Sequence, residues 1–357
     1  MKKRKNVAII GGLSDEKFTS KVQQLIENDS IQKVYLFRYT GNPVRNNKIK
    51  TFPFSRNSLF PRFIFEIFLF LYLFYLCLLR RIDFFVGIYF IPYGIYAGSF
   101  GKIFRIPVIQ LIPGTDLNMI LRYPLLQKMI ALSSKIGVRG ENSRQKLIKI
   151  GIPPGKIFIQ HNLFNFEYYS DFRMAEKKYD LIFIGYVRRL KRIDVLLRAV
   201  HILKEEFPSL KCLLVGEGPE RDKLNDLVNE LEIDKNIVFW GFSSDVKSLL
   251  KQSKIFILTS QSEGLPMVII EAMACGVPVV ASAINDIPSV VNNNFNGFLV
   301  YNFDPIFYAD ACRKLLSDEV LLTRMSIDAE KSIKDKYIKY YSKEAIGKAW
   351  NEILGEI

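Results

Sequence analysis

Paired cysteines, histidines and long apolar runs are what this 357-residue sequence has least of. Its four cysteines, Cys77, Cys212, Cys275 and Cys312, lie far apart with no CxxC or Cys/His spacing, which argues against a disulfide framework or a structural zinc site. A reducing cytoplasm suits such a chain. There are only two histidines, His161 and His201. No internal repeat or low-complexity tract is found. The basic start Met1-Lys2-Lys3-Arg4-Lys5 leads into only a short apolar strand, Val7 to Ile10, and then Gly11-Gly12, so the expectation is a cytosolic N-terminus rather than a signal peptide. With 357 residues and 49% hydrophobic content, an ordered chain of two domains is expected, because one core rarely fills with so long a chain.

The longest membrane-like stretch is Phe63 to Leu79, rich in Phe, Leu and Tyr, flanked by Arg62 and Arg80-Arg81 and interrupted by Glu66. It is at the short limit for a spanning helix, so it reads as an interface-lying helix, a core helix or, least, a span. Charge is uneven along the chain. Residues 1–170 hold 25 Lys/Arg against 9 Asp/Glu, a balance of +16; residues 171–357 hold 25 against 27, a balance of −2. The first half is therefore expected to meet something anionic, whether membrane surface, nucleic acid or phosphorylated substrate, or to carry a solvated basic face.

Strand-length apolar runs alternate with amphipathic helix-length runs, the pattern of parallel βαβ units in an α/β fold. A first series places strands at Val7–Ile10, Lys33–Arg38, Phe84–Tyr89 and Val108–Ile112, with helices around Thr19–Glu27, at 63–79 and at Ile95–Phe104. The alternation lapses between Gly151 and Lys178. A second series places strands at Asp180–Ile184, Leu210–Val215, Asn236–Trp240, Ile255–Thr259 and Val277–Ser282. The expected domains are 1–170 and 171–339, with a last helix from Ser342 to Leu354 able to pack back on the first. Ligands of such sheets bind at the carboxyl ends of the strands, which directs attention to the loops after Ile184, Val215, Trp240 and Thr259.

After the strand ending at Thr259 comes Glu263-Gly264-Leu265-Pro266-Met267-Val268-Ile269-Ile270-Glu271-Ala272-Met273-Ala274-Cys275-Gly276-Val277-Pro278. Pro266 suits a helix's first turn and Gly276 its end, so Leu265 to Cys275 is expected to be helical. The unpaired amides and positive dipole end of such a helix can seat a diphosphate. Glu271, in the second turn among apolar neighbours, suits two adjacent ribose hydroxyls. Glu263, in the loop, would face the transferred sugar or offset charge at its anomeric carbon. The alternative is a pair of cap or surface glutamates.

Glu263-x7-Glu271, with Gly264-Leu265-Pro266 and Gly276-Val277-Pro278-Val279-Val280, resembles the signature of glycosyltransferase family 4, and the likeness runs from about Asp180 to Leu299. The resemblance implies a GT-B fold, with two Rossmann-like doubly wound domains facing each other across a cleft. It further implies a retaining, metal-independent transfer from a nucleotide-diphosphate sugar, UDP- or GDP-linked, with no other cofactor. Gly185-Tyr186-Val187-Arg188-Arg189-Leu190-Lys191-Arg192 is similar to the family's phosphate-neutralising loop. Lys191 matches its Lys; Tyr186 stands where an Arg often follows the Gly, and Arg188 is assigned that role. Gly216, in Val215-Gly216-Glu217-Gly218, resembles the turn where backbone approaches the nucleotide. Trp240, Gly241 and Phe242 resemble the wall around the base, though aromatic residues there are as often core.

On the acceptor side, Gly11-Gly12 resembles the glycine-rich first loop, and Pro113-Gly114-Thr115-Asp116 a His-Gly-Ser/Thr-Asp run in which Pro113 replaces the His. Asp116 is the surviving polar group, as a site member or a helix cap. His201 reads as structural, and His161 as non-catalytic. No covalent nucleophile can be named, so the resemblance implies departure of the diphosphate on the face where the acceptor attacks, stabilised by Lys191, Arg188 and the helix N-terminus. The expected role is sugar transfer to a glycan or lipid-linked oligosaccharide in surface polysaccharide, lipopolysaccharide or capsule synthesis, at the cytoplasmic face of the membrane. The alternative is a degenerate protein of the same fold that binds nucleotide sugar without consuming it. Nucleic-acid binding would explain the charge but not the sugar-site motifs.

Overall fold

The protein, as a computed structural model, is described over residues 4–11, 22–37, 46–51, 62–112, 114–170 and 175–357. Gly12 and Pro113 lie outside these residues, as does part of the helix expected around Thr19–Glu27. Two compact units are present, Met1–Phe164 with Tyr340–Ile357, and Asn165–Lys339.

The first unit is a parallel sheet of β1 (Lys5–Gly11), β2 (Ile31–Phe37), β3 (Ile49–Thr51), β4 (Phe84–Ile88), β5 (Val108–Leu111), β6 (Lys135–Val138) and β7 (Ile157–Ile159). Their order is β3-β2-β1-β4-β5-β6-β7. Successive residues of a strand point to opposite faces, and both faces here are covered, which is why the strands are continuous apolar runs. Val7, Ile9, Val34, Val86 and Ile109 pack on one face with Ile346, Trp350, Ile353 and Leu354 of the C-terminal helix Lys343–Gly355. Ala8, Ile10, Phe85 and Val108 pack on the other with Leu69, Leu73, Leu76 and Cys77 of the helix Arg62–Leu78 and with Ala97 and Phe100 of the helix Ile95–Phe104. The C-terminal helix is also tied by polar contacts. Trp350 Nε1 donates to Gln24 Oε1 at 3.2 Å, and Lys5 Nζ donates to the carbonyl of Leu354 at 2.8 Å.

The helix Arg62–Leu78 is neither wholly core nor a span: one side packs on the sheet while Ile67, Phe70, Leu71, Phe74, Tyr75 and Leu78 are exposed. Among the described residues no helix is long and apolar enough to cross a membrane.

The second unit is a parallel sheet of β8 (Tyr179–Ile184), β9 (Cys212–Val215), β10 (Ile237–Gly241), β11 (Ser253–Leu258), β12 (Val279–Ser282) and β13 (Gly297–Val300), in the order β10-β9-β8-β11-β12-β13. From β8 the chain moves outward through β9 and β10, then returns to β11 on the other side of β8. That reversal opens a crevice at the carboxyl ends of β8 and β11, where a doubly wound sheet binds ligands.

Candidate active site

Both loops that flank this crevice are held to each other. Thr259 Oγ1 donates to the carbonyl of Arg192 at 2.7 Å and is 3.1 Å from that of Lys191. The amide of Gln261 donates to the carbonyl of Leu190 at 2.9 Å. With the backbones stitched, Lys191 Nζ donates to Glu263 Oε1, an ion pair whose side chains are only 11% and 12% exposed. Ser260 Oγ donates to the same oxygen at 3.0 Å, and Asn285 Nδ2 donates to the carbonyl of Glu263 from the loop after β12. A nearly buried pair of this kind survives because each charge meets its opposite and further hydrogen bonds.

Beneath the pair runs a row of glycines. The amide of Gly185 donates to the carbonyl of Val215 at 2.9 Å, and the amide of Gly216 to that of Gly241 at 2.8 Å. A Cβ on Gly216, at φ +134°, would stand 1.9 Å from the carbonyl oxygen of Gly185. The ends of β8, β9 and β10 thus approach more closely than any side chain permits. The ammonium of Lys191 lies 3.5 Å from where a Cβ on Gly185 would be, so the cation sits over bare backbone. Trp240 and Phe242, on either side of Gly241, are exposed, Phe242 to 80%. Neither is core.

The helix after the Glu263 loop runs Met267–Ala274, two residues shorter at its start than expected. Pro266 precedes it at φ −68°, ψ 127°, outside the helical region, and Leu265 precedes the proline in turn. Gly264, Leu265, Pro266 and Met267 are all half-buried and lead directly into the first-turn amides. Glu271 lies in the second turn, beside the hydroxyl of Tyr169. Burial, and then the neighbouring and hydrogen-bonded carboxylate of Glu271, push the Tyr169 phenol well above its usual range. Tyr169 therefore stays a neutral donor toward Glu271 and fixes one carboxylate oxygen.

Arg188 lies three residues before Lys191, whose amide donates to its carbonyl at 2.9 Å. Its side chain lines a 640 Å³ cavity with Arg189, Arg192, Glu220, Lys223 and Gln261, and its buried Nε has no hydrogen-bond partner among the described residues. The guanidinium thus lines this cavity with donor capacity unspent.

In the first unit, Gly11 ends β1 beside Ile88 of β4, and Asp116 follows β5 at the same end of the sheet. The Asp116 carboxylate is buried and occupied: it accepts from the amide of Phe90 at 2.5 Å and from that of Ile91. Burial raises its carboxyl above the ordinary value, against the pull of those amides. Its work in this structure is to hold the turn that follows β4. His161 stacks on Tyr340 at 4.9 Å, and His201 Nδ1 lies 2.9 Å from the carbonyl of Leu231; both are packing groups.

Ser260, Tyr169 and Asn285 escape a reading of the sequence. Only Asn285 left a signal, since Asn is the side chain best suited to the left-handed φ of +43° it adopts.

The fold defines a two-unit doubly wound protein of the GT-B class, with a basic residue, Lys191, paired to Glu263 at the switch point of its second sheet. Residues 167–332, just under half of the chain, match the family model of the glycosyl transferases group 1. It is 28% identical over 249 residues to the N-acetyl-alpha-D-glucosaminyl L-malate synthase of Bacillus anthracis, covering 65% of this chain and 64% of that protein. It is 30% identical over 171 residues to the poly(ribitol-phosphate) alpha-N-acetylglucosaminyltransferase of Staphylococcus aureus, covering 47% and 34%. The matches thus span between about a third and just under two thirds of those relatives. Among solved structures, the Anabaena protein HepE in complex with UDP and glucose shares the fold, with a TM-score of 0.75 at 16% identity over 99% of this chain and 100% of that one.

Proposed function

We propose that the chain is a retaining glycosyltransferase that moves a sugar from a nucleotide-diphosphate sugar to a glycan or lipid-linked acceptor. The observation that carries this is the Lys191–Glu263 ion pair, set over a glycine row at the switch point of the second sheet. In this reading the diphosphate of the donor enters over Gly185 and Gly216, where backbone can approach it. Lys191, Arg188 and the first-turn amides of Met267–Ala274 neutralise it. Glu271, oriented by Tyr169, accepts from two ribose hydroxyls, and Trp240 and Phe242 flank the base.

Entry of the diphosphate draws Lys191 toward phosphate oxygen and frees Glu263 to bind hydroxyls of the sugar or to offset charge at its anomeric carbon. The bond between that carbon and the diphosphate oxygen breaks, and the departing oxygen takes the proton of the attacking acceptor hydroxyl on the same face. The anomeric configuration is kept without a covalent enzyme intermediate, and the charge on the leaving group is borne by side chains and amides, with no metal needed. The relatives support the reading: HepE holds UDP with glucose, and both curated relatives are named for alpha linkages, as retention from an alpha-linked donor gives.

The test is incubation of the full chain with labelled UDP- and GDP-sugars and measurement of released nucleoside diphosphate. Release that depends on Lys191 supports transfer chemistry. Nucleotide binding without release would instead leave a donor-binding protein that has lost catalysis.

A further inference from the structure

The helix Arg62–Leu78 carries a face that donor chemistry does not use. Ile67, Phe70, Leu71, Phe74, Tyr75 and Leu78 recur at three- and four-residue spacing and are exposed, Leu71 at 56% and Leu78 at 60%, while Leu69, Leu73, Leu76 and Cys77 are buried against the sheet. Phe70 and Phe74 lie 4.8 Å and 5.3 Å, ring to ring, from Phe100 and Phe104 of the helix Ile95–Phe104. The two helices therefore form one apolar ridge, which exposed Ile103 extends. Arg80 and Arg81 follow the first helix, Lys102 and Arg105 flank Ile103, and all four are exposed. The nearby acid Asp83 is turned to the backbone, its Oδ2 accepting from the amide of Asn6 at 2.7 Å.

Contiguous apolar surface of this kind marks an interaction site. A second copy seated on it would bring the same four cations against themselves. Among the described residues no helix is long and apolar enough to cross a membrane, and one side of this one is packed on the sheet. Apolar and aromatic side chains beside arginine and lysine, in a half-chain of balance +16, match the chemistry of one partner. We propose that this ridge seats in the interfacial layer of an anionic lipid bilayer, with the apolar side chains at the acyl boundary and Arg80, Arg81, Lys102 and Arg105 on lipid phosphates. The inference stands apart from the donor reading, and the site it uses shares no residue with it.

The test is flotation of the full chain with vesicles of phosphatidylcholine alone and of phosphatidylcholine mixed with phosphatidylglycerol. The expected result is capture by the mixed vesicles and at least tenfold less by the neutral ones. Leu71→Gln/Tyr75→Gln/Leu78→Gln is expected to abolish capture, and Arg80→Gln/Arg81→Gln to weaken it and its salt dependence. Both should keep wild-type nucleotide release, which separates failure of this proposal from failure of the transfer reading. Should the triple variant misfold by circular dichroism, the milder Leu71→Ala/Leu78→Ala pair carries the test. Equal capture of all variants, absence of wild-type capture, or a wild-type dimer that the triple variant breaks would overturn the proposal.

Discussion

Lys191 and Glu263, 72 residues apart in the chain, meet as an ion pair because β8 and β11 are neighbours in the sheet while their loops are tied together by Thr259 and Gln261. Removing one member leaves the other nearly buried and unpaired. Lys191→Ala is expected to cost about 3–5 kcal/mol of folding stability and to slow transfer by roughly a hundred- to a thousandfold. Lys191→Met with Glu263→Leu should return most of the stability and none of the transfer. Urea unfolding and nucleotide release, measured on the same preparations, separate the two effects.

Tyr169 donates to Glu271 and, on the proposed reading, fixes it for the ribose. Tyr169→Phe is expected to weaken UDP binding by roughly threefold to tenfold, about 0.5–1.5 kcal/mol for one hydrogen bond, with little change in the rate of the bound complex. Calorimetric titration reads the first, single-turnover kinetics the second. An unchanged affinity would make Tyr169 a packing residue only.

Gly216 has no room for a methyl group. Gly216→Ala places a Cβ against the carbonyl of Gly185 at a φ that costs about 1–3 kcal/mol for a non-glycine residue. Thermal melting should fall and nucleotide affinity with it, whereas alanine at Gly155, where a Cβ would meet open space, should melt like wild type.

Donor identity is open to a melting-temperature panel. UDP at a hundred times its dissociation constant stabilises a folded protein by about 2.7 kcal/mol. We expect uridine nucleotides to give the largest shift and Glu271→Ala to abolish it. A larger shift with guanosine nucleotides would redirect the donor assignment.

Asp116 makes a pH prediction. Its folded pKa is raised by burial, so its stabilising share is complete below the unfolded pKa and is lost as pH rises through the folded one. Asp116→Asn keeps an acceptor for the Phe90 amide and does not ionise. As pH rises from below the ordinary carboxylate range through and beyond it, the wild type should lose stability relative to this variant. Urea midpoints measured across that range check the sign.

Much of this was legible because burial on both faces writes a parallel strand as an uninterrupted apolar run. Val7–Ile10 and Asp180–Ile184 announce themselves in this way, and Pro266 and Gly276 bracket the helix Met267–Ala274. β3, β6, β7 and β13 did not. They are three or four residues long, and β6 and β13 contain Gly137 and Gly297, whose lack of a side chain is a packing demand: a Cβ on Gly297 would stand 2.4 Å from the carbonyl of Val279. In the site, Lys191, Glu263 and Glu271 sit in local motifs. Ser260, Tyr169 and Asn285 acquire meaning only once distant loops converge, and Asp116 shows a motif position spent on holding a turn.

The return of Lys343–Gly355 to the first sheet sets an order of events at the ribosome. Trp350, Ile353 and Leu354 complete one face of a sheet whose first strand was made more than three hundred residues earlier. Asn165–Lys339 can close as soon as it emerges, whereas the face of the first sheet that Val22, Leu25 and Ile26 cover only in part must wait until Lys343–Gly355 is translated. Newly made chains stalled short of that helix would present that side to chaperones.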